Sequence, residues 1–168
     1  MIVRPDEWIT KPDENGDGLL KTWVVSGDVE FPIPIETHNV SLEDVVLGKD
    51  QDFEFVLECA EKPDVYHDEE AYIKASEHHS MASESVIPVG LYSPADDARI
   101  LLNGIVVKTY EDSTKYGFDE DDVLFSISCL GNEYDAVLSA ELAGEKEIRE
   151  GNIVSCIYWV QGWPKENS

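Results

Sequence analysis

The chain has 168 residues, of which 36 are acidic and 12 basic, for a formal net charge of −24. Recognition of phosphate backbones and anionic lipid rests on Lys and Arg, so the charge disfavours nucleic acid, no membrane is expected as a partner, and a basic protein surface is expected. With 42% hydrophobic and 10% aromatic residues there is material for a core, which excludes wholesale disorder.

Residues 1–84 carry 21 acids and 6 bases, and residues 85–168 carry 15 and 6. The longest acidic run, Asp119 to Asp122, is too short for a disordered arm, so the charge belongs to folded elements. The expected organisation is one domain over 1–168, with 1–84 and 85–168 as its alternative subdivision. Met1 to Glu7 turns acidic before an apolar run develops, so no signal peptide is expected. No stretch approaches the roughly 18–20 apolar residues of a membrane helix. Cys59, Cys129 and Cys156 are odd in number, widely separated and set in strand patterns. They are expected to be free, buried thiols that hold no metal, in a reducing cytoplasm.

In chain order, the first candidate chemistry is Asp13-Glu14-Asn15-Gly16-Asp17-Gly18. Asp13, Asn15 and Asp17 stand at positions 1, 3 and 5 of a Ca²⁺ loop, with Gly at 6. Position 9 is Lys21 and position 12 is Val24, so the other ligands are missing and a hairpin turn explains the same residues. Leu19–Val25 reads as a strand. Phe31-Pro32-Ile33-Pro34-Ile35 reads as an edge strand or an extended segment over the core, because alternate prolines lack donors. Ser41 to Gly48 predicts a capped helical turn ended by Gly. Phe53–Cys59 predicts an amphipathic strand, and Asp68–His79 a surface helix with acids first and histidines last. His67, His78 and His79 lack a metal-ligand spacing and read as surface groups, as does His38.

Val86–Tyr92 predicts a short strand, and Ala98–Tyr110 a long one bent at Gly104. From Val123 to Ala140 the alternation predicts a hairpin turning at Gly131-Asn132, so that Cys129 faces Tyr134 and Phe125 faces Leu138. Ser126 then falls on the polar face. Ile153–Val160 is apolar on both faces and predicts an interior strand. No internal repeat shows.

The long glycine-kinked strand, the tight hairpin and the Glu150-Gly151-Asn152-Ile153-Val154 approach to the next strand resemble an OB-fold barrel over residues 98–162. The resemblance implies a fifth strand that does not appear after Gly162-Trp163-Pro164, so closure needs a strand from elsewhere. It also implies an oligonucleotide-binding face.

The fold class is therefore mainly β, α+β: an antiparallel meander, OB-like small barrel or sandwich with one or two short surface helices. No P-loop, nucleophile elbow or dinucleotide fingerprint is present, and the reading is a cytoplasmic protein without catalysis. It docks on a basic protein surface through charge, as an inhibitor, immunity protein or nucleic-acid mimic does. The apolar centre of that contact is assigned to Trp163, Phe31, Ile33 and Ile35. The rival readings are a divalent-cation-binding β domain, with no other cofactor, using 13–17 or 119–122, an OB-like oligonucleotide-binding module, and an enzyme whose site is assembled from scattered residues.

Overall fold

Strand-forming residues dominate the chain wherever apolar and polar positions alternate, and the computed structural model, which describes residues 1–76, 82–94 and 96–166, is mainly β. The first three strands, β1 (Ile2–Thr10), β2 (Gly18–Val24) and β3 (Phe31–Thr37), form an antiparallel meander. β4 (Gln51–Cys59) follows a connection of turns. A linking segment then carries β5 (Asp64–Tyr66), α1 (Glu69–Ala75) and β6 (Ser85–Ile87). A second meander, β7 (Arg99–Thr109), β8 (Val123–Cys129) and β9 (Asn132–Leu138), leads through the single turn α2 (Ala140–Ala143) into β10 (Ile153–Pro164).

The pairings of β1–β4 recur in β7–β10. β4 and β10 lie antiparallel at the centre, with Leu57 opposite Val160 and Phe53 opposite Pro164. β4 pairs antiparallel with β1 near its start and parallel with β9 near its end. β10 pairs antiparallel with β7 near its start and parallel with β3, at Gln161 and Glu36, near its end. Two rings of five strands result, β1-β2-β3-β10-β4 and β7-β8-β9-β4-β10, with β4 and β10 common to both. The strand that closes the ring of β7, β8, β9 and β10 is thus β4, far upstream.

Local details repeat as well. β1 is irregular between Pro5 and Glu7, and β7 between Val106 and Lys108. The carbonyl just before each irregularity accepts from a glycine with positive φ: Gly48 N–H to Pro5 at 2.7 Å and Gly151 N–H to Val106 at 2.8 Å. After β3 and β9 the chain turns at serines, Ser41 and Ser139, whose short turns are tied by side-chain hydrogen bonds. The hairpin loops of the two units also meet, Ser26 Oγ donating to Asn132 Oδ1 at 2.9 Å and Asn132 Nδ2 to the Ser26 carbonyl at 2.8 Å. The repeat is one of hydrogen bonding and topology. Its equivalent core positions, such as Leu20 and Phe125, differ too much in side chain to show in the sequence.

One core runs through both rings. Val3, Leu20, Ile35 and Phe53 on one side and Leu102, Phe125, Ile127 and Tyr158 on the other are buried in a single cluster. Its burial is the main stabilising term, because apolar area leaves water on both sides of the shared strands. The hairpin turn lies at Leu130-Gly131, both with positive φ, and not at Gly131-Asn132. Ile127 therefore faces Tyr134 and Phe125 faces Ala136, two residues away from the expected register. A two-residue shift leaves the faces unchanged. Ser126 is buried rather than polar-face surface. Gly104 does not mark the bend, which falls beyond Val106; a Cβ there would meet the Ser128 carbonyl at 2.6 Å, so the glycine allows close strand approach.

Other expectations change in similar ways. Met1–Glu7 lies largely in β1, whose Pro5 and many charges hide its alternation. Val86–Tyr92 divides into β6 and a 3₁₀ turn, Val89–Tyr92, around the buried Pro88. The predicted helix spans Glu69–Ala75 with Asp68 as its cap; its expected end, with His78 and His79, lies outside the described residues. Ile153–Val160 continues to Pro164; Ile153 is buried but Trp159 on the same outward face is exposed, so the strand is covered on both faces near its start and on one face further along. Cys59, Cys129 and Cys156 are free and buried. Among the described residues no helix is long and apolar enough to cross a membrane.

Candidate binding groove

Side chains alternate across a strand. With Tyr158 and Val160 buried inside, β10 presents Trp159, Gln161 and Trp163 outward. β4 likewise turns Glu54, Val56 and Glu58 outward, and the register sets Glu54 opposite Trp163 and Val56 opposite Gln161. This outer face of the shared pair floors an open groove of about 1500 Å³. The β3–β4 connection, with Glu43, Asp44 and Val46, forms one wall, and Tyr116 stands on the other side.

Tyr116 is held in place by a polar cluster under the β7–β8 connection. Its hydroxyl donates to Asp135 Oδ2 at 2.5 Å, Tyr110 donates to Oδ1 at 3.2 Å, and Lys115 Nζ lies 3.0 Å from Oδ2. Lys115 also sits 4.8 Å from the centroid of the Tyr116 ring. Burial, and then the Asp135 hydrogen bond, push the Tyr116 phenol well above the ordinary tyrosine range. Hydrogen bonds to Tyr116 and Asp135 raise the Lys115 ammonium in turn. The Tyr116 ring meets Trp163 edge to face, centroids 6.2 Å apart at 64°. Together with Tyr110 and Phe118 it packs on Val56, Leu124 and Val137 in a small second core.

The groove is acidic. Glu43, Asp44, Asp50, Asp52, Glu54 and Glu166 line it, against Lys165 and His38. Asp50 is paired with Arg4 at 2.8 Å, and Asp52 with Lys165 at 3.4 Å. Among the described residues no Lys or Arg forms an ion pair with Glu43, Asp44, Glu54 or Glu166. The Ser41 N–H, donating to Asp44 at 2.7 Å, holds that carboxyl below the usual range. Such walls attract cations and basic side chains, and the aromatic floor adds ring faces that stabilise them further.

The residues singled out in the sequence are scattered over the molecule. Asp13 Oδ1 accepts from the N–H groups of Asn15 at 2.8 Å and Asp17 at 3.1 Å, closing the β1–β2 turn on itself. Asp17 Oδ1 is 2.8 Å from His38 Nδ1, and the Asn15 carbonyl accepts from Asn39 N–H. No group of three or more His, Cys, Asp or Glu side chains that could hold a metal ion occurs among the described residues. In the 119–122 run, Asp122 accepts from Asp119 N–H and Ala140 N–H. Ile33 and Ile35 are buried in the core and Phe31 is partly buried against it. Of the four apolar candidates, Trp163 is the one that reaches the groove. Sequence reasoning missed Tyr116, Asp135 and Glu54, which only the pairing of distant strands brings near Trp163. No known protein family, curated protein or solved structure matches this chain.

Proposed function

We propose that this protein is a non-catalytic interaction module that takes a basic protein surface into the groove over β4 and β10. It does so as an inhibitor, immunity protein or nucleic-acid mimic would, and works in the reducing cytoplasm. The observation that carries the reading is the concentration of six carboxylates around an aromatic floor, four of them free of Lys and Arg ion pairs among the described residues. Exposed Leu42, Val46 and Leu47 in the β3–β4 connection border the same wall and supply apolar area that salt does not screen. A lysine- and arginine-containing peptide titrated at increasing NaCl tests the reading. Glu43→Gln with Glu166→Gln is expected to weaken binding about three- to tenfold at low salt and to flatten the salt dependence. Unchanged affinity in the double variant would remove the groove from the interaction.

A further inference from the structure

The outer face of β10 carries two tryptophans, and the protein itself shows what one of them accepts. Arg99 holds its guanidinium carbon 5.7 Å from the centroid of Trp159 while pairing with Asp97 at 2.8 Å. Burial raises the Asp97 carboxyl, but the Arg99 hydrogen bonds and charge together hold it below the usual carboxylate range. An aromatic face and an adjacent carboxylate thus form a guanidinium seat. Four residues along the same strand face, Trp163 stands opposite Glu54, both line the acidic groove, and no arginine of the described residues lies over that ring. Tyr116 meets Trp163 edge-on and limits how far its ring can turn.

Trp159 faces Arg99 across the strands whereas Trp163 faces Glu54, so the two places share their parts, a tryptophan and a carboxylate, and not their register. From those shared parts we infer that Trp163 and Glu54 form a second guanidinium seat, filled by an arginine of the partner protein. The inference rests on the groove being the docking surface and adds the residue that anchors there. Arginine suits the seat better than lysine. Its planar, weakly hydrated group stacks on an aromatic ring while presenting a fork of donors to the carboxylate, whereas an ammonium is a strongly hydrated point charge. The Trp159 seat, already filled by Arg99, serves as the internal reference.

The test titrates the full chain with two peptides of equal length and charge, one carrying arginines and the other lysines, at about 150 mM NaCl where loose attraction is screened. Tryptophan fluorescence gives the binding curve. The arginine peptide is expected to bind about tenfold more tightly. Glu54→Gln, which leaves the size of the side chain unchanged, and Trp163→Leu are each expected to erase most of that preference. Equal affinities in the unsubstituted protein would overturn the arginine seat and leave the acidic groove standing. Arginine preference that survives both substitutions would overturn it as well. If neither peptide binds, the docking reading fails together with the seat. Tight binding of a single-stranded oligonucleotide in its place would contradict both.

Discussion

The units β1–β4 and β7–β10 share one plan of pairing but differ in the connections their strands carry. Between β1 and β2 the chain spends residues 11–17 on a turn that closes upon Asp13. Between β7 and β8 it spends 110–122, enough to fold back and lay Tyr110, Tyr116 and Phe118 over Val56, Leu124 and Val137. The β3–β4 connection buries Val40 and Val45 but exposes Leu42, Val46 and Leu47, whereas its counterpart after β9 buries Ala143 and Ile148. The groove lies where one unit's exposed connection faces the other unit's aromatic one across the shared strands. Repeated scaffolds become asymmetric through their loops, and the groove follows that asymmetry.

The strongest way to break the comparison is to hollow the two rings separately. Leu20 and Phe125 are equivalent positions, each fully buried. Leu20→Ala is expected to cost about 2–5 kcal/mol and Phe125→Ala about 3–5 kcal/mol. Because one core runs through both rings, each variant should still unfold in a single transition by fluorescence and circular dichroism. Two separated transitions would show that the units are independent and that sharing β4 and β10 couples them little.

Alkaline titration sharpens the second unit. The phenols of Tyr110, Tyr116, Tyr134 and Tyr158 are all raised, burial being the largest cause for each, and Lys115 is raised by its hydrogen bonds. Groups with raised folded values contribute stability that is complete below their unfolded values and lost as pH rises through the folded ones. Stability to urea is expected to hold to about pH 9 and to fall steeply above about pH 10. Tyr116→Phe removes one of these groups and should moderate that fall. An unchanged pH profile in this variant would separate the Asp135 cluster from alkaline unfolding.

The turn glycines Gly48 and Gly151 give a smaller, paired effect. A Cβ at Gly48 or Gly151 would meet nothing within 4 Å, and both residues have positive φ. Gly48→Ala and Gly151→Ala are each expected to cost about 1–2 kcal/mol, from the backbone alone. Clearly unequal costs would weaken the equivalence of the two turns. The smallest effect concerns the β1–β2 turn, where Asp13→Ala loses the two N–H contacts for about 1 kcal/mol. Micromolar Ca²⁺ is expected to leave the melting temperature of the unsubstituted protein unchanged. A rise seen with Ca²⁺ and not with equal Mg²⁺ would restore the cation reading of Asp13, Asn15 and Asp17.

Strands with clean alternation were legible from the sequence, and those whose signal was spread over charge or proline were not. β8 and β9 declared their inward faces because Phe125, Ile127 and Cys129 alternate with smaller polar residues. The register slipped by two because nothing in Leu130 announces the positive φ that it adopts. β1 escaped notice since only Val3 and Pro5 turn fully inward among its first five residues. β4 was visible as a strand, yet its closure of the second ring depends on a parallel pairing with β9 across about 80 residues of chain, which carries no local signal. The same reason hid the groove. Trp163 stood out for lacking a core pattern, but Glu54 and Tyr116 acquire meaning only beside it.

The exchange of β4 and β10 has a further consequence for how such a molecule can be cut. A fragment holding β1 to β4 keeps its meander but lacks the partner strand that β10 provides. A second copy of the fragment carries that partner, because its own β4 can lie antiparallel to the first and beside β3. Half of this chain is thus expected to associate as a two-fold homodimer with swapped strands, detectable by its sedimentation and by concentration-dependent melting. In the intact protein the segment 60–98 makes that association intramolecular, at a high effective concentration. It also leaves the two units free to differ, so that a surface which would occur twice in a homodimer is built once, with different walls.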